Sequence, residues 1–145
     1  APLAPDMTAD LGRQEFSYAF TCWNDSFLQS RMIHEAYELN IPPLVVSGAG
    51  GEASLLAVDA PNIILETCKP AEDGSGDVVL RLYEAKRTAT SCTLRLSLPV
   101  IAVNETDMLE EGGTPLPCEG GRVPLFFRPF ECKTLRLQLD SPIKA

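Results

Sequence analysis

Hydrophobic side chains alternate with polar ones over most of the chain after residue 60. Five runs place mainly apolar side chains at every second position, the period of a β-strand with one buried face. The alternating positions are Ile63, Leu65 and Thr67, then Val78, Leu80 and Leu82, then Leu94, Leu96 and Leu98, then Val123, Leu125 and Phe127, then Leu135, Leu137 and Leu139. Turn-forming Gly, Pro or Asp residues bound each run. We predict an all-β fold, an antiparallel β-sandwich.

The N-terminal third combines two periods. Residues 15–21 alternate and carry aromatic side chains on one face, which predicts a strand. These side chains are Phe16, Tyr18 and Phe20. Residues 27–39 have apolar side chains at the spacing of a helix, and Ser26 stands at the expected N-cap. The helical positions are Leu28, Met32, Ala36 and Leu39, and Asn40 and Pro42 follow as stop signals. We predict one short helix in this segment.

A glycine-rich stretch separates the two patterns. Residues 47–53 contain three glycines, and we predict a flexible linker there. Residues 54–145 then form one small β-domain. The chain opens with Ala1-Pro2-Leu3, without an initiator Met or a signal-peptide pattern. We therefore expect that it is cut from a longer polypeptide.

Composition and charge narrow the classes of partner. The 145 residues are 45% hydrophobic and 22% charged, which is ordinary for a globular domain. The formal net charge of −8, with no basic stripe to offset it, disfavours binding to nucleic acid. No apolar run approaches the roughly 20 residues that a membrane helix needs, so we expect no membrane partner.

The cysteines indicate the cellular compartment. The five cysteines are Cys22, Cys68, Cys92, Cys118 and Cys132. Their number is odd and they form no CxxC pair, whereas a secreted disulfide framework usually has an even count. We expect free, mostly buried thiols and a cytoplasmic location. The glycosylation sequons at Asn24 and Asn104 would then have no role.

Few residues are available for catalysis or metal binding. A catalytic zinc usually takes about three protein ligands. The single histidine, His34, falls on the predicted helix, where we expect a partly exposed polar side chain. The acidic pairs Glu72-Asp73 and Glu110-Glu111 precede glycines, as in solvated turns, whereas a glycosidase holds two carboxylates across a pocket. We predict no catalytic, cofactor-binding or metal-binding residue in this chain.

Two aromatic side chains are candidates for contact with a ligand. Trp23 and Tyr83 could stack on a sugar ring or contact another domain. Packing against the face of a sheet is the commoner role of such side chains. The sequence leaves both roles open.

Several stretches resemble the C-terminal end of the α-mannosidases of glycoside hydrolase family 38, especially the cytosolic type. The stretches are APDMTADLGRQEFSYA (residues 4–19), EAYELNIP (35–42), IILETCKPAEDG (63–74), VLRLYEA (79–85), ETDMLE (105–110) and RPFECKTLRL (128–137). They follow the order of the family and span nearly the whole chain. The pattern departs from the family at Gln14, where His is frequent, so no role is carried to that position.

The resemblance implies a larger enzyme. A member of this family is a retaining exo-α-mannosidase that removes terminal α-mannose from oligosaccharides. Its divalent metal, usually zinc, contacts the sugar, and an Asp is the nucleophile. These residues belong to the N-terminal catalytic domain, and none of them matches a position in this chain. The resemblance therefore implies no catalytic or metal-binding residues here.

The resemblance also implies a division into domains. Residues 1–46 correspond to the tail of a preceding large β-domain, with one strand and the helix. Residues 47–53 link it to a small C-terminal β-sandwich at residues 54–145. A boundary inside a domain leaves strand edges uncovered, and such edges favour association with another chain. We expect the chain either to pair with a copy of itself or to pack its first forty residues irregularly.

Three functions are compatible with these features. The first is an accessory domain that supports the catalytic N-terminal part of an α-mannosidase acting on mannose-containing oligosaccharides. The second is an autonomous carbohydrate-binding module that uses Trp23 and Tyr83. The third is a β-sandwich interaction protein unrelated to sugars. The order of the motifs favours the first.

Overall fold

The computed structural model describes residues 11–48 and 50–140. The first ten residues of the predicted 1–46 part, one position of the 47–53 linker and residues 141–145 lie outside the described residues. The chain forms two compact units, Ala1–Leu44 and Val45–Ala145, which are considered separately below. The residue ranges of the three predicted parts stay a prediction.

The helix of the first unit is shorter than predicted. A single 3₁₀ turn spans Phe27–Gln29, and helix α1 spans Met32–Asn40. Ser30 separates them in an extended conformation, and its hydroxyl donates a hydrogen bond to the carbonyl oxygen of Phe27 (2.8 Å). The predicted cap at Ser26 is also wrong, because its side chain makes no capping hydrogen bond. The prediction of one short helix is confirmed, with a later start.

The predicted strand at residues 15–21 is absent from the part of the first unit that the structure describes. The backbone there belongs to no helix or strand, and Phe16, Tyr18 and Phe20 are each more than 80% exposed. A β-strand requires a neighbouring strand for its N–H and C=O groups. Residues 11–44 offer no such neighbour, so the alternating pattern remains unpaired.

The second unit contains eight strands among its described residues. They are β1 (Leu56–Val58), β2 (Ile63–Pro70), β3 (Val78–Glu84), β4 (Thr90–Leu96), β5 (Val100–Thr106), β6 (Thr114–Leu116), β7 (Arg122–Phe127) and β8 (Cys132–Leu139). One sheet has the order β1-β4-β7 and the other the order β2-β3-β8-β5-β6. All pairs are antiparallel. The predicted antiparallel β-sandwich is therefore confirmed.

Three strands were not predicted from the sequence, and each omission has a physical reason. Strands β1 and β6 contain only three residues each, too few to show a period. Strand β5 has a register shift between Val100 and Ala102, and a bulge of this kind interrupts the alternation of side chains. The run predicted through Leu98 is also too long, because β4 ends at Leu96.

The hydrophobic core lies between the two sheets. It is built from the predicted alternating faces, including Leu80 and Leu82 from β3, Leu94 from β4, Phe127 from β7 and Leu135 from β8, all fully buried. Each fully buried side chain of this size contributes about 1.5–3 kcal/mol through the hydrophobic effect. The sandwich therefore has a continuous core of its own. Within the described residues, no helix has the length and apolar character needed to cross a membrane.

Candidate functional site

The five-stranded sheet carries a cluster of charged side chains on the face opposite the core, here called the outer-face cluster. Its members are Lys69 of β2, Arg81 of β3, Arg136 of β8, Glu72, Asp73 and Asp77 of the β2–β3 turn, and Glu110 of the β5–β6 loop. The three basic residues share a face because Lys69 and Arg136 both pair with Val79, two positions from Arg81. The pairing of the strands therefore collects these charges.

Glu110 is the buried centre of the outer-face cluster. Its side chain is 6% exposed, and its Oε1 lies 2.6 Å from the Nζ of Lys69 and 3.6 Å from a guanidinium nitrogen of Arg81. Its Oε2 accepts a hydrogen bond from the backbone N–H of Glu72 (3.0 Å). The hydrogen bond from Lys69 lowers the pKa of this carboxyl below its usual value. The prediction of a solvated turn is wrong for Glu110, whereas Glu111 is exposed.

Arg81 fixes the loop that carries Glu110. Its guanidinium donates a hydrogen bond to the backbone oxygen of Met108 (3.0 Å). The loop thus crosses the outer face of the sheet, and the hydroxyl of Thr134 contacts the sulfur of Met108 at 3.8 Å. This cover explains why Val79, which points away from the core, is fully buried.

Arg136 fixes the β2–β3 turn in the same way. Its Nε lies 2.6 Å from Asp77, and one terminal nitrogen lies 2.7 Å from Asp73 and 2.9 Å from the hydroxyl of Ser75. Hydrogen bonds from Ser75, followed by that from Arg136, lower the pKa of Asp73 to about 2. The predicted hairpin turn at Asp73 is present, but its carboxylate is paired rather than simply solvated.

An open depression of about 520 Å³ lies over this cluster, lined by Glu72, Asp73, Leu109, Glu110, Glu111, Gly112 and Arg136. A general acid requires a carboxyl group that stays protonated near neutral pH. The lowered pKa values of Asp73 and Glu110 place both groups in the ionised state instead. Their ion pairs hold two loops on the sheet, so the chemistry of the cluster is structural.

A second buried carboxylate belongs to Glu84, at the end of β3. It is fully buried, and its Oε1 accepts hydrogen bonds from the side chain of Asn62 (2.8 Å) and from the backbone of Lys86 (2.7 Å). Its Oε2 accepts one from the backbone of Phe130 (3.0 Å). Burial raises the pKa of Glu84, but the hydrogen bonds from Phe130, Asn62 and Lys86 together outweigh it and leave the pKa lowered. Glu84 therefore ties together three separate segments.

The residues singled out by sequence lie apart from these clusters. His34 is a half-buried residue of α1. Trp23 is 43% exposed and precedes the 3₁₀ turn. Tyr83 is half-buried on the outer face of β3, paired in register with Ile64 and Cys132. Trp23 and Tyr83 belong to different compact units, so the structure describes no shared site for them.

The donor sets of the described residues do not fit a metal site. Within residues 11–48 and 50–140, no three His, Cys, Asp or Glu side chains come together in a group that could hold an ion. The family resemblance implies zinc, but these residues offer no place for it, and no chemical step is assigned to a metal here.

The cysteines are free, but the expectation that most are buried is wrong. Cys22, Cys68 and Cys132 are exposed, and Cys118 is half-buried. Only Cys92 is buried among the described residues, at a core-facing position of β4. Burial, followed by the charge of Asp59, raises the pKa of this thiol and keeps it protonated.

Glu84 and Glu110 organise the loops of the sandwich, and neither is among the site residues predicted from the sequence. Glu84 had a signal, because it continues the inward period of Val78, Leu80 and Leu82. An acidic residue at such a position must find partners in the interior. Glu110 had no such signal, because its partner Lys69 is distant in sequence and meets it only through the pairing of strands.

Comparison with known proteins identifies the family. Residues 62–135 match the model of the glycosyl hydrolases family 38 C-terminal beta sandwich domain. Alpha-mannosidase 2C1 of Mus musculus is 41% identical over 150 aligned positions, which cover 98% of this chain and 14% of the relative. Alpha-mannosidase 2C1 of Homo sapiens is 39% identical over 98% of the chain and 14% of the relative. Alpha-mannosidase G of Dictyostelium discoideum is 30% identical over 94% of the chain and 13% of the relative.

The match extends over nearly all of this chain but only about one-seventh of each of these relatives. The matched residues belong to the sandwich described above and extend from β2 into β8. The resemblance that the sequence motifs indicated is thus confirmed. The chain belongs to glycosyl hydrolase family 38, and its second unit contains the C-terminal β-sandwich domain of that family.

Proposed function

We propose that this chain is the C-terminal accessory region of an α-mannosidase that hydrolyses terminal α-D-mannose residues of oligosaccharides. Its role is to support the catalytic part of the same polypeptide, and it has no activity alone. The family membership and the names of the relatives support this proposal. We assign residues 1–46 to the tail of a preceding β-domain, residues 47–53 to a linker and residues 54–145 to the sandwich.

The observation that carries the proposal is the apolar surface of the first unit. Within residues 11–44, the exposed large apolar side chains are Leu11, Phe16, Tyr18, Phe20, Trp23, Phe27, Leu28, Leu39, Ile41 and Leu44. So many exposed large apolar side chains on one unit are unusual for a protein that functions alone, and exposed apolar surface usually marks an interface. The relatives are about seven times longer than this chain, so we assign this interface to the rest of the enzyme.

The ionised state of the clustered carboxylates supports a non-catalytic role. Asp73, Glu84 and Glu110 all have lowered pKa values, and each accepts hydrogen bonds or forms ion pairs within the sandwich. None is therefore poised to donate a proton to a glycosidic oxygen. We place the catalytic carboxylates and the zinc or other divalent metal of the enzyme in its remaining part.

The test is truncation of the full-length natural polypeptide at the position of Gly48. We expect the intact polypeptide to hydrolyse a chromogenic α-mannoside. We expect the truncated one, which still carries the apolar segment, to keep that activity at low temperature but to lose it much faster on heating. Retention of the same thermal half-life would contradict a supporting role. Absence of activity in the intact polypeptide would contradict the proposal as a whole.

A carbohydrate-binding role is the second candidate, and the partial exposure of Trp23 favours it. Trp23 and Tyr83 remain our candidates for contact with a glycan or with another domain. Because Trp23 is the single tryptophan of the chain, its fluorescence reports on this position alone. Saturable quenching or enhancement on titration with mannose oligosaccharides would support the binding role. The binding role would be rejected if the oligosaccharides leave the fluorescence spectrum of the wild type unchanged and the Tyr83→Ala variant behaves identically in the same titration.

We propose that the isolated chain self-associates through the apolar surface of its first unit. Exposed aromatic segments without a partner favour such contacts. The expected result is an average mass by light scattering that rises with concentration for residues 1–145 but stays monomeric for residues 47–145. A monomeric full chain at all concentrations would contradict this.

We propose a cytoplasmic location. The support is the chemistry of the thiols, because three exposed free cysteines persist best in a reducing compartment. The test is titration of the thiols in the protein isolated from its own cells with alkylation at lysis. Recovery of the five cysteines of this chain as alkylated thiols supports the proposal, and a disulfide at any of them would contradict it.

A further inference from the structure

The turn between β7 and β8 holds an aromatic residue in a backbone conformation that favours glycine. The N–H of Glu131 donates to the carbonyl oxygen of Arg128 (3.0 Å), which closes a four-residue turn with Pro129 second and Phe130 third. Phe130 has a φ of +59°. A turn with proline second and a positive φ third is of type II, in which glycine is preferred because a Cβ adds strain. Phe130 therefore costs the isolated sandwich free energy.

This strained conformation is fixed from two sides. The buried Glu84 accepts a hydrogen bond from the backbone N–H of Phe130 (3.0 Å). The guanidinium of Arg128 makes two hydrogen bonds to Glu131, at 2.9 and 3.1 Å, and its backbone N–H makes another at 2.7 Å. A residue held in a rare conformation by surrounding contacts is a frequent feature of functional surfaces.

The ring of Phe130 does little for the fold. It is 65% exposed and does not belong to the hydrophobic core, and nearby Phe126 is 55% exposed. A glycine at position 130 would suit the turn better. An exposed aromatic ring on a turn whose backbone is held by hydrogen bonds, and which also carries an arginine, is instead suited to a protein interface, where such residues supply much of the binding energy.

We propose that Phe130 is an aromatic anchor through which the β-sandwich docks onto the larger part of the same polypeptide. This inference rests on the proposed function and gives the sandwich a contact point separate from the apolar surface of residues 11–44. The length of the relatives supplies the occupant, because this chain spans only 14% of the mouse and human proteins.

The test compares Phe130→Gly with Arg87→Gly in two settings, this 145-residue chain and the full-length natural polypeptide. Arg87 is a matched control, because it is also an exposed non-glycine residue with a positive φ, of 57°. In the 145-residue chain we expect both variants to raise the urea midpoint of unfolding, since the relief of strain outweighs the larger entropy of glycine in the unfolded chain. In the full-length polypeptide, followed by fluorescence during heating, we expect Phe130→Gly to shorten the unfolding half-life about tenfold. Arg87→Gly should not shorten it, and Phe130→Tyr should keep the original half-life.

We therefore expect Phe130→Gly to stabilise the 145-residue chain but to destabilise the full-length polypeptide. The proposal is overturned if Phe130→Gly stabilises the full-length polypeptide as Arg87→Gly does. It is equally overturned if Phe130→Gly lowers the urea midpoint of the 145-residue chain, because the ring would then serve the sandwich itself. Hydrolysis of an α-mannoside by the full-length polypeptide is measured in parallel. Absence of that activity in the unmodified polypeptide would reject the proposed function. The comparison of unfolding half-lives would still test whether Phe130 docks the sandwich.

Discussion

At the scale of single residues, a few positions require a particular residue because of their backbone conformation or their contacts. The hairpin Glu119-Gly120-Gly121-Arg122 shows this most clearly. Its N–H and C=O groups pair across the turn at 3.0 and 3.1 Å, and both glycines have positive φ values of 56° and 72°. This combination is typical of a type I′ turn, which needs residues that tolerate φ > 0. The two glycines differ only in what surrounds them.

Replacement of each glycine by alanine separates backbone strain from steric overlap. A Cβ on Gly120 would meet open space, whereas one on Gly121 would overlap the carbonyl oxygen of Leu96. We expect Gly120→Ala to lower the free energy of unfolding by about 1–2 kcal/mol. Gly121→Ala should cost about 1–3 kcal/mol more, because the backbone must shift. Urea unfolding measures both, and equal losses would contradict the close approach.

Glu84 is the residue whose charge matters most for the sandwich. In Glu84→Gln, one oxygen becomes an NH₂ group that faces N–H donors, so buried donors lose their acceptor. We expect a loss of about 2–4 kcal/mol in the free energy of unfolding. The exposed Glu66 is the control, and Glu66→Gln should change this value by less than about 0.5 kcal/mol. Similar values for the two variants would show that the Glu84 hydrogen bonds contribute little.

At the scale of elements, ion pairs hold two connections on the five-stranded sheet. The β5–β6 loop depends on Glu110 with Lys69 and Arg81, and the β2–β3 turn depends on Arg136 with Asp73 and Asp77. The carboxylates must be ionised for these contacts. The stability of both connections is therefore linked to pH.

Acidification tests this linkage. The folded-state pKa values of Asp73 and Glu110 are lowered, to about 2 for Asp73. Such groups contribute stability that is fully present above their unfolded pKa values, roughly 4, and is lost as pH falls through the folded values. We expect the urea midpoint of the wild type to exceed that of Asp73→Asn at pH 7 and the difference to shrink between pH 4 and 2. If the difference in urea midpoint between the wild type and Asp73→Asn widened on acidification, the ionised carboxylate would not be the stabilising form.

The helices and strands also show which elements could be predicted from the sequence alone. Period-2 runs located β2, β3, β4, β7 and β8, because each of these strands presents one face to the core. The same period at residues 15–21 predicted a strand that the described residues do not form, because a period indicates which face would be buried but does not supply the neighbouring strand. Glu110 could not be predicted as buried, since its partners come together only after the sheet has formed.

At the scale of the whole molecule, the two compact units differ in self-sufficiency. The sandwich has a buried core, and the carboxylates of its charged clusters form ion pairs within it. The described part of the first unit has no buried hydrophobic side chain and exposes a row of aromatic residues. This contrast is the physical basis for the role that we propose, as part of a larger enzyme.

Hydrolysis of a chromogenic α-mannoside by this 145-residue chain alone, with zinc or cobalt added, tests the central claim most directly. The clustered carboxylates of Asp73, Glu84 and Glu110 are ionised and engaged in structural contacts, so we expect no turnover above the rate measured without protein. The Asp73→Asn and Glu110→Gln variants should give the same background rate. Saturable turnover by the wild-type chain that either variant abolishes would contradict the account.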